Sequence, residues 1–198
     1  YVLKGSELDA YNIENPGEPA FRSSTLIDWG VETLFPYGDK LFIGSQNGMF
    51  IYSLNDPATP AKLGQAQHLR SCDPVVANDS VAFVTLRGNA CGPAANGLYV
   101  YDVKDITKPN LVKTVEIPAP SGLGLKDSIL YVCQQQYGLS VYNIENPGSP
   151  LLRKEITDTY FEDVIVYYNI LICYVKNGLQ LYDISTPSDP VLLTSLEN

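Results

Sequence analysis

One pattern recurs five times and limits what this chain can become. It reads Glu7-Leu8-Asp9-Ala10-Tyr11-Asn12-Ile13, Gly48-Met49-Phe50-Ile51-Tyr52-Ser53-Leu54, Gly97-Leu98-Tyr99-Val100-Tyr101-Asp102-Val103, Gly138-Leu139-Ser140-Val141-Tyr142-Asn143-Ile144 and Gly178-Leu179-Gln180-Leu181-Tyr182-Asp183-Ile184. A proline follows twelve residues after each first position, at Pro19, Pro60, Pro109, Pro150 and Pro190. Four copies add a second proline three residues earlier, at Pro16, Pro57, Pro147 and Pro187, with Ile106 in its place in the third. Intervals of 41, 49, 41 and 40 residues separate the copies. A period near forty suits helical solenoids as well as propellers, so residue type arbitrates. Runs of five to seven Val, Ile, Tyr and Leu broken by Gly, Pro, Asn and Asp describe short strands and tight turns.

Each complete unit parses into four strands, A to D. In the fourth unit these are Gly122–Lys126, Ile129–Gln134, Leu139–Glu145 and Leu151–Thr157. Four-stranded units repeated radially make a β-propeller, so the fold class is all-β. We expect one domain, with a half blade over 1–28 and blades over 29–69, 70–118, 119–158 and 159–198. The first unit shows strands C (Leu8–Ile13) and D (Ala20–Leu26) but no A or B, so it is incomplete at the N-terminus. A ring of five blades is the simplest completion, and a fragment of a larger ring stays open. The short polar residue ending each C strand (Asn12, Ser53, Asp102, Asn143, Asp183) is read as a cap on nearby backbone, not as a ladder of metal ligands.

Composition then narrows the chemistry. Asp and Glu number 22 against 13 Lys and Arg, a net charge of −9. Nucleic-acid binding needs clustered cations, so that partner is excluded. One histidine leaves little for zinc or imidazole catalysis. No Asp-x-Asp-x-Asp loop offers calcium its six to eight oxygens. No cofactor and no metal are expected. No apolar run approaches the roughly 20 residues that cross a bilayer. The chain begins at Tyr1 without an initiator methionine, which reads as a processed or trimmed start.

Gly-Leu-x-Val-Tyr-Asp-Ile followed by Asn/Thr-Pro-x-x-Pro resembles the LVIVD-repeat family of bacterial exported and surface β-propellers. The segment Cys72-Asp73-Pro74-Val75-Val76, leading to Val84-Thr85-Leu86-Arg87-Gly88 and Cys91-Gly92, also resembles a blade of that family. The resemblance implies an exported protein at the bacterial cell surface or outer membrane. It further implies a lipoprotein whose lipid-bearing cysteine lies upstream of Tyr1, and an accessory role beside a TonB-dependent nutrient importer.

Four cysteines are present. Cys72 opens strand A of the third blade and Cys91 sits in the enlarged B-to-C loop of the same blade. A loop tied at its base is a sensible place for a bridge, so Cys72–Cys91 is the expected disulfide, with an oxidising compartment. Two reduced thiols are the alternative. Cys133 and Cys173 lie inside apolar runs of successive B strands and are expected as buried free thiols.

Strand direction sends A-to-B and C-to-D loops to one face and B-to-C and D-to-A loops to the other. The first face is repetitive and takes nine of the 14 prolines. The second carries the irregular residues: Trp29, His68, Arg70, Arg87, Asn89, Gln134, Gln135, Gln136, Tyr137, Tyr160 and Phe161. Variable loops on a rigid scaffold are where binding concentrates, and Trp, Tyr and Arg contribute most at interfaces. A plug of the channel by Trp29 and Phe161 is the plainer reading. The expected function is therefore non-catalytic: docking a partner protein, or capturing a peptide or glycan, through this face. The rival is a glycosidase using inner-strand carboxylates, with Glu32, Asp73, Glu162 and Asp163 as candidates.

Overall fold

The computed structural model describes residues 1–68, 74–88 and 96–197, and no helix occurs among them. Nineteen strands form five antiparallel sheets. Blade 1 contains β1 (Val2–Lys4), β2 (Glu7–Asn12) and β3 (Ala20–Leu26), and blade 2 contains β4 (Val31–Tyr37), β5 (Lys40–Ser45), β6 (Gly48–Ser53) and β7 (Ala61–Gln67). Blade 3 contains β8 (Val75–Ala77), β9 (Val81–Leu86), β10 (Gly97–Asp102) and β11 (Asn110–Val115). Blade 4 contains β12 (Leu123–Lys126), β13 (Ile129–Cys133), β14 (Leu139–Asn143) and β15 (Leu151–Ile156). Blade 5 contains β16 (Phe161–Tyr167), β17 (Ile170–Val175), β18 (Gly178–Asp183) and β19 (Val191–Glu197). The protein is an all-β propeller of five blades.

Blade 1 corrects one expectation. It is not a half blade, because β1 pairs with β2 through Val2↔Asp9, Leu3↔Leu8 and Lys4↔Glu7 and supplies strand B. Val2-Leu3-Lys4 is short and is followed at once by the Gly5 turn (φ +66°), so it carries too little periodicity to register as a strand. Among the described residues this sheet therefore has three strands, B to D. The fourth blade's strands fall within a residue or two of expectation.

The repeated motif fixes register as well as sequence. In all five blades the C-to-D pairing shifts immediately before the shared tyrosine, at Ala10/Tyr11, Ile51/Tyr52, Val100/Tyr101, Val141/Tyr142 and Leu181/Tyr182. A bulge at a constant place gives each outer hairpin the same added twist. Successive side chains of strand C then point to opposite neighbours. Met49 and Ile51 pack towards blade 3, Leu98 and Val100 towards blade 4, and Leu139 and Val141 towards blade 5. The tyrosines point the other way: Tyr52 joins the core with blade 1, Tyr101 that with blade 2, Tyr142 that with blade 3 and Tyr182 that with blade 4. Sheets covered on both faces need apolar residues on both, which is why strand C hardly alternates. Each blade thus has a trailing face, towards the next blade, and a leading face, towards the one before.

The capping expectation holds in every blade. Asn12, Ser53, Asp102, Asn143 and Asp183 each accept a hydrogen bond from the backbone N–H two residues on, at 2.8, 3.2, 2.9, 3.0 and 2.7 Å. A backbone turn follows each, with Glu18, Thr59, Lys108, Ser149 and Asp189 donating to the carbonyl three residues back at 2.9 to 3.1 Å. The prolines complete these turns and so are structural.

Candidate functional site

Among the described residues, the D-to-A and B-to-C connections lie on one rim, where the first residues of β4, β8, β12 and β16 open the central channel. The channel has a volume of about 420 Å³. Leu34, Phe35, Val75, Leu123, Leu125 and Val164 make much of its wall, with Thr33 and Asp163 as polar exceptions. Its apolar walls follow from the β-branched and leucine content of the inner strands.

Two polar neighbourhoods stand on the rim. The first joins blades 1 and 2. Asp28 Oδ2 accepts hydrogen bonds from Ser45 Oγ (3.0 Å) and Asn47 Nδ2 (3.3 Å), and Glu32 Oε1 accepts from Gln46 Nε2 (2.9 Å). The backbone N–H of His68 donates to the Asn47 carbonyl at 3.2 Å. Asp28, Asn47, Lys62, Gln65 and His68 surround a crevice of about 480 Å³. Trp29 follows Asp28 and is 52% exposed, which places its ring at the surface and not as a plug.

The second joins blades 3, 4 and 5. Arg87 Nη1 lies 3.8 Å from Glu162 Oε1, bridging from blade 3 to blade 5. Burial, and then the hydrogen bond to Glu162, lift the Tyr160 phenol above its ordinary range, and Arg87 pulls against both. Gln135 and Phe161 exchange two backbone hydrogen bonds, at 3.0 and 3.1 Å, which tie the blade 4 hairpin to the start of β16. Thr85 Oγ1 donates to the Ser121 carbonyl at 2.7 Å, and Ser121 Oγ to that of Phe161 at 3.4 Å. Asp163 follows in the channel wall. Solvent reaches it, but surrounding protein and then the charge of Glu162 push its carboxyl up, partly offset by the Val164 N–H at 2.8 Å. Gly122 is required here, because a Cβ would stand 2.1 Å from Asp163 Oδ1 and 2.5 Å from its Cα.

The expected site residues divide three ways. Trp29, Gln136 and Tyr137 are exposed on the rim, and His68, Arg87, Gln135 and Tyr160 are half-buried there. Gln134 is buried, donating to Ser140 Oγ, and Phe161 is fully buried against Tyr182 with ring centroids 6.3 Å apart. These two hold the rim from beneath. Arg70, Asn89, Asp73 and the Cys72–Cys91 pair lie outside the described residues. Cys133 and Cys173 are free buried thiols between blades 4 and 5, and burial raises both. Sequence reasoning missed Asp28 and Asn47 as partners. The small polar run Ser45-Gln46-Asn47 at a hairpin tip was their only signal.

Comparison with known proteins supports this fold and little beyond it. The sequence profile of the LVIVD repeat matches residues 162–197, and no curated protein matches the chain in sequence. Among solved structures, a protein from Lactobacillus plantarum aligns at TM-score 0.75 and 13% identity, over 96% of this chain and 64% of that one. The periplasmic gluconolactonase PpgL of Pseudomonas aeruginosa aligns at TM-score 0.71 and 12% identity, over 99% and 65%. BamB from Moraxella catarrhalis aligns at TM-score 0.64 and 11% identity, over 97% and 56%. The chain therefore spans less than two thirds of the length of each. Residues 162–197, nearly all of blade 5, are an LVIVD repeat, and the chain that carries it is a five-bladed β-propeller.

Proposed function

We propose that this protein is a non-catalytic propeller of the bacterial envelope that docks a partner protein through the rim where its B-to-C and D-to-A loops gather. The observation that carries the reading is the exposure of Trp29 and Tyr137 on that rim, with Gln134 and Phe161 buried and hydrogen-bonded beneath the blade 4 hairpin that bears Tyr137. Rigid support beneath exposed aromatic groups is what lets a surface bind without a large ordering cost. Export is consistent with one structural neighbour, named as a periplasmic gluconolactonase. The repeat's resemblance adds the finer parts of the reading: a lipid anchor at the outer membrane and a TonB-dependent importer complex as the partner to test first. A peptide or glycan taken up at the same rim is the ligand form of this reading.

The test is the double substitution Trp29→Ala with Tyr137→Ala. Its expected outcome is loss of whatever protein the native chain captures from solubilised envelope, with an unchanged unfolding midpoint. Undiminished capture would move the docking surface elsewhere.

A second reading, an enzyme, draws on Asp163, whose carboxyl is raised within the channel wall beside Glu162. Glu162 already faces Arg87 and Glu32 faces Gln46, so no second carboxylate is free opposite Asp163 among the described residues. Turnover of glycans or lactones that Asp163→Asn abolishes would favour this reading over docking.

A further inference from the structure

The four internal blade interfaces repeat one contact set, and that set exposes an unfilled fifth. On the trailing face, Leu8, Met49, Leu98 and Leu139 occupy one register position and Tyr1, Phe42, Phe83 and Tyr131 another. All of these but Tyr1 are at most 1% exposed. The corner of the following blade closes over them. Tyr1 Oη donates to the Pro57 carbonyl at 2.6 Å, and Tyr131 Oη makes the equivalent bond to Pro187 at 2.7 Å. Two strands further out, Ser23 donates to the Ala58 carbonyl and Lys154 Nζ to the Pro190 carbonyl. Gly64, at the same position, lies so close that a Cβ would stand 1.8 Å from the Ile106 carbonyl oxygen.

In blade 5 the same positions are Leu179, Ile172 and Thr194. Leu179 is 37% exposed, and around it Ile165, Tyr174 and Leu196 are each more than half exposed. At the other end of the arc, Ile13 of blade 1 is 66% exposed, whereas its equivalents Val103, Ile144 and Ile184 are buried. A trailing face and a leading face thus both lie bare, although every other pair of this kind is closed. Apolar faces of this extent mark an interaction surface.

We propose that the trailing face of blade 5 is covered by a further four-stranded blade of the same repeat, belonging to the same polypeptide outside residues 1–198. That blade presents a leading-face tyrosine to Leu179 and Leu181 and closes its Pro-x-x-Pro corner over Ile172 and Thr194. Two observations choose this occupant. The face continues an interface that the chain already forms four times, and the solved propellers it matches hold about half as much chain again.

The experiment compares Leu179→Asp in two proteins, residues 1–198 alone and the product of the complete reading frame. Thermal melting and hydrogen exchange of β17 and β18 are the readouts, with sedimentation to report association. In the long product the substitution lowers the melting temperature by on the order of 10 °C and removes protection of β17 and β18. In the short chain it changes melting by no more than a few degrees. Leu139→Asp damages both proteins alike and serves as the control. A reading frame without a further repeat, or equal small effects of Leu179→Asp in both proteins, overturns the proposal. So does self-association of the chain that buries Leu179, which would give the face to a second copy.

Discussion

On the corner face, every blade closes its C-to-D turn with the same capping bond and the same backbone turn. On the rim, the described blade crossings are held by different side chains. Between blades 1 and 2 an aspartate is held by Ser45 and Asn47. Between blades 4 and 5 two backbone bonds join Gln135 to Phe161, and an arginine reaches from blade 3 to Glu162. The corners are uniform because each must fit against the blade before it, so their shape is dictated by stacking. The rim loops meet no such template. They are free to differ once their bases are fixed, and that freedom is what a binding surface needs.

The largest expected effect tests whether stacking governs the corners. Gly64→Ala places a methyl group 1.8 Å from the Ile106 oxygen, and backbone on both sides has nowhere to yield. Denaturant unfolding should show a loss of about 3 kcal/mol or more. Gly17→Ala, whose Cβ meets only Asn15 Oδ1 at 3.6 Å, should stay within about 0.5 kcal/mol. Equal tolerance of the two would mean that the corners do not clasp.

Smaller losses follow where one bond is removed. Tyr131→Phe deletes the hydroxyl that reaches Pro187 and should cost about 1 kcal/mol. Tyr1→Phe, the half-exposed equivalent, should cost less. Asp102→Ala should remove about 1 kcal/mol by uncapping Lys104 N–H. Asp102→Asn should be nearly silent, since asparagine performs this task at positions 12 and 143. On the rim, Trp29→Ala with Tyr137→Ala should leave stability within about 1 kcal/mol of the parent, well short of the loss expected for Gly64→Ala.

The same contrast explains what could be read in advance. The corners, the shared tyrosine and the capping residues were legible because five copies report one structure. A repeated Asn or Asp beside a repeated Pro leaves few backbone solutions. The strand β1 was not legible, since three residues before a glycine turn carry no period of their own. On the rim, sequence grouped Trp29, Gln134, Tyr137 and Phe161 but could not say which would be buried. That depends on the bulge in β16 between Phe161 and Asp163, which turns the phenylalanine into the core. The pairing of Arg87 with Glu162 joins residues 75 positions apart in non-adjacent blades, and no local pattern announces it.

The smallest effects lie in the pH dependence, where the two regions pull in opposite directions. Among the corner aspartates, hydrogen bonds from Thr59, Thr107 and Ser185 hold Asp56, Asp105 and Asp183 below the usual carboxylate range. A lowered folded pKa stabilises fully above the unfolded value, near 4, and the contribution is lost as pH falls through the folded one. Asp163 runs the other way. Burial raises its folded pKa, so its contribution is greatest when it is protonated and is lost as pH rises through that raised value. Asp163→Asn should therefore gain stability over the parent at pH 7 and gain nothing below pH of about 4. Replacing the three corner aspartates with asparagine should lower stability at neutral pH, leave it unchanged at the acid end, and so flatten the acid limb. Urea midpoints measured from pH 3 to 8 separate the two. An Asp163→Asn variant that is less stable at pH 7 would show that its charge is held by a partner, and the channel carboxyl would then belong with the corners.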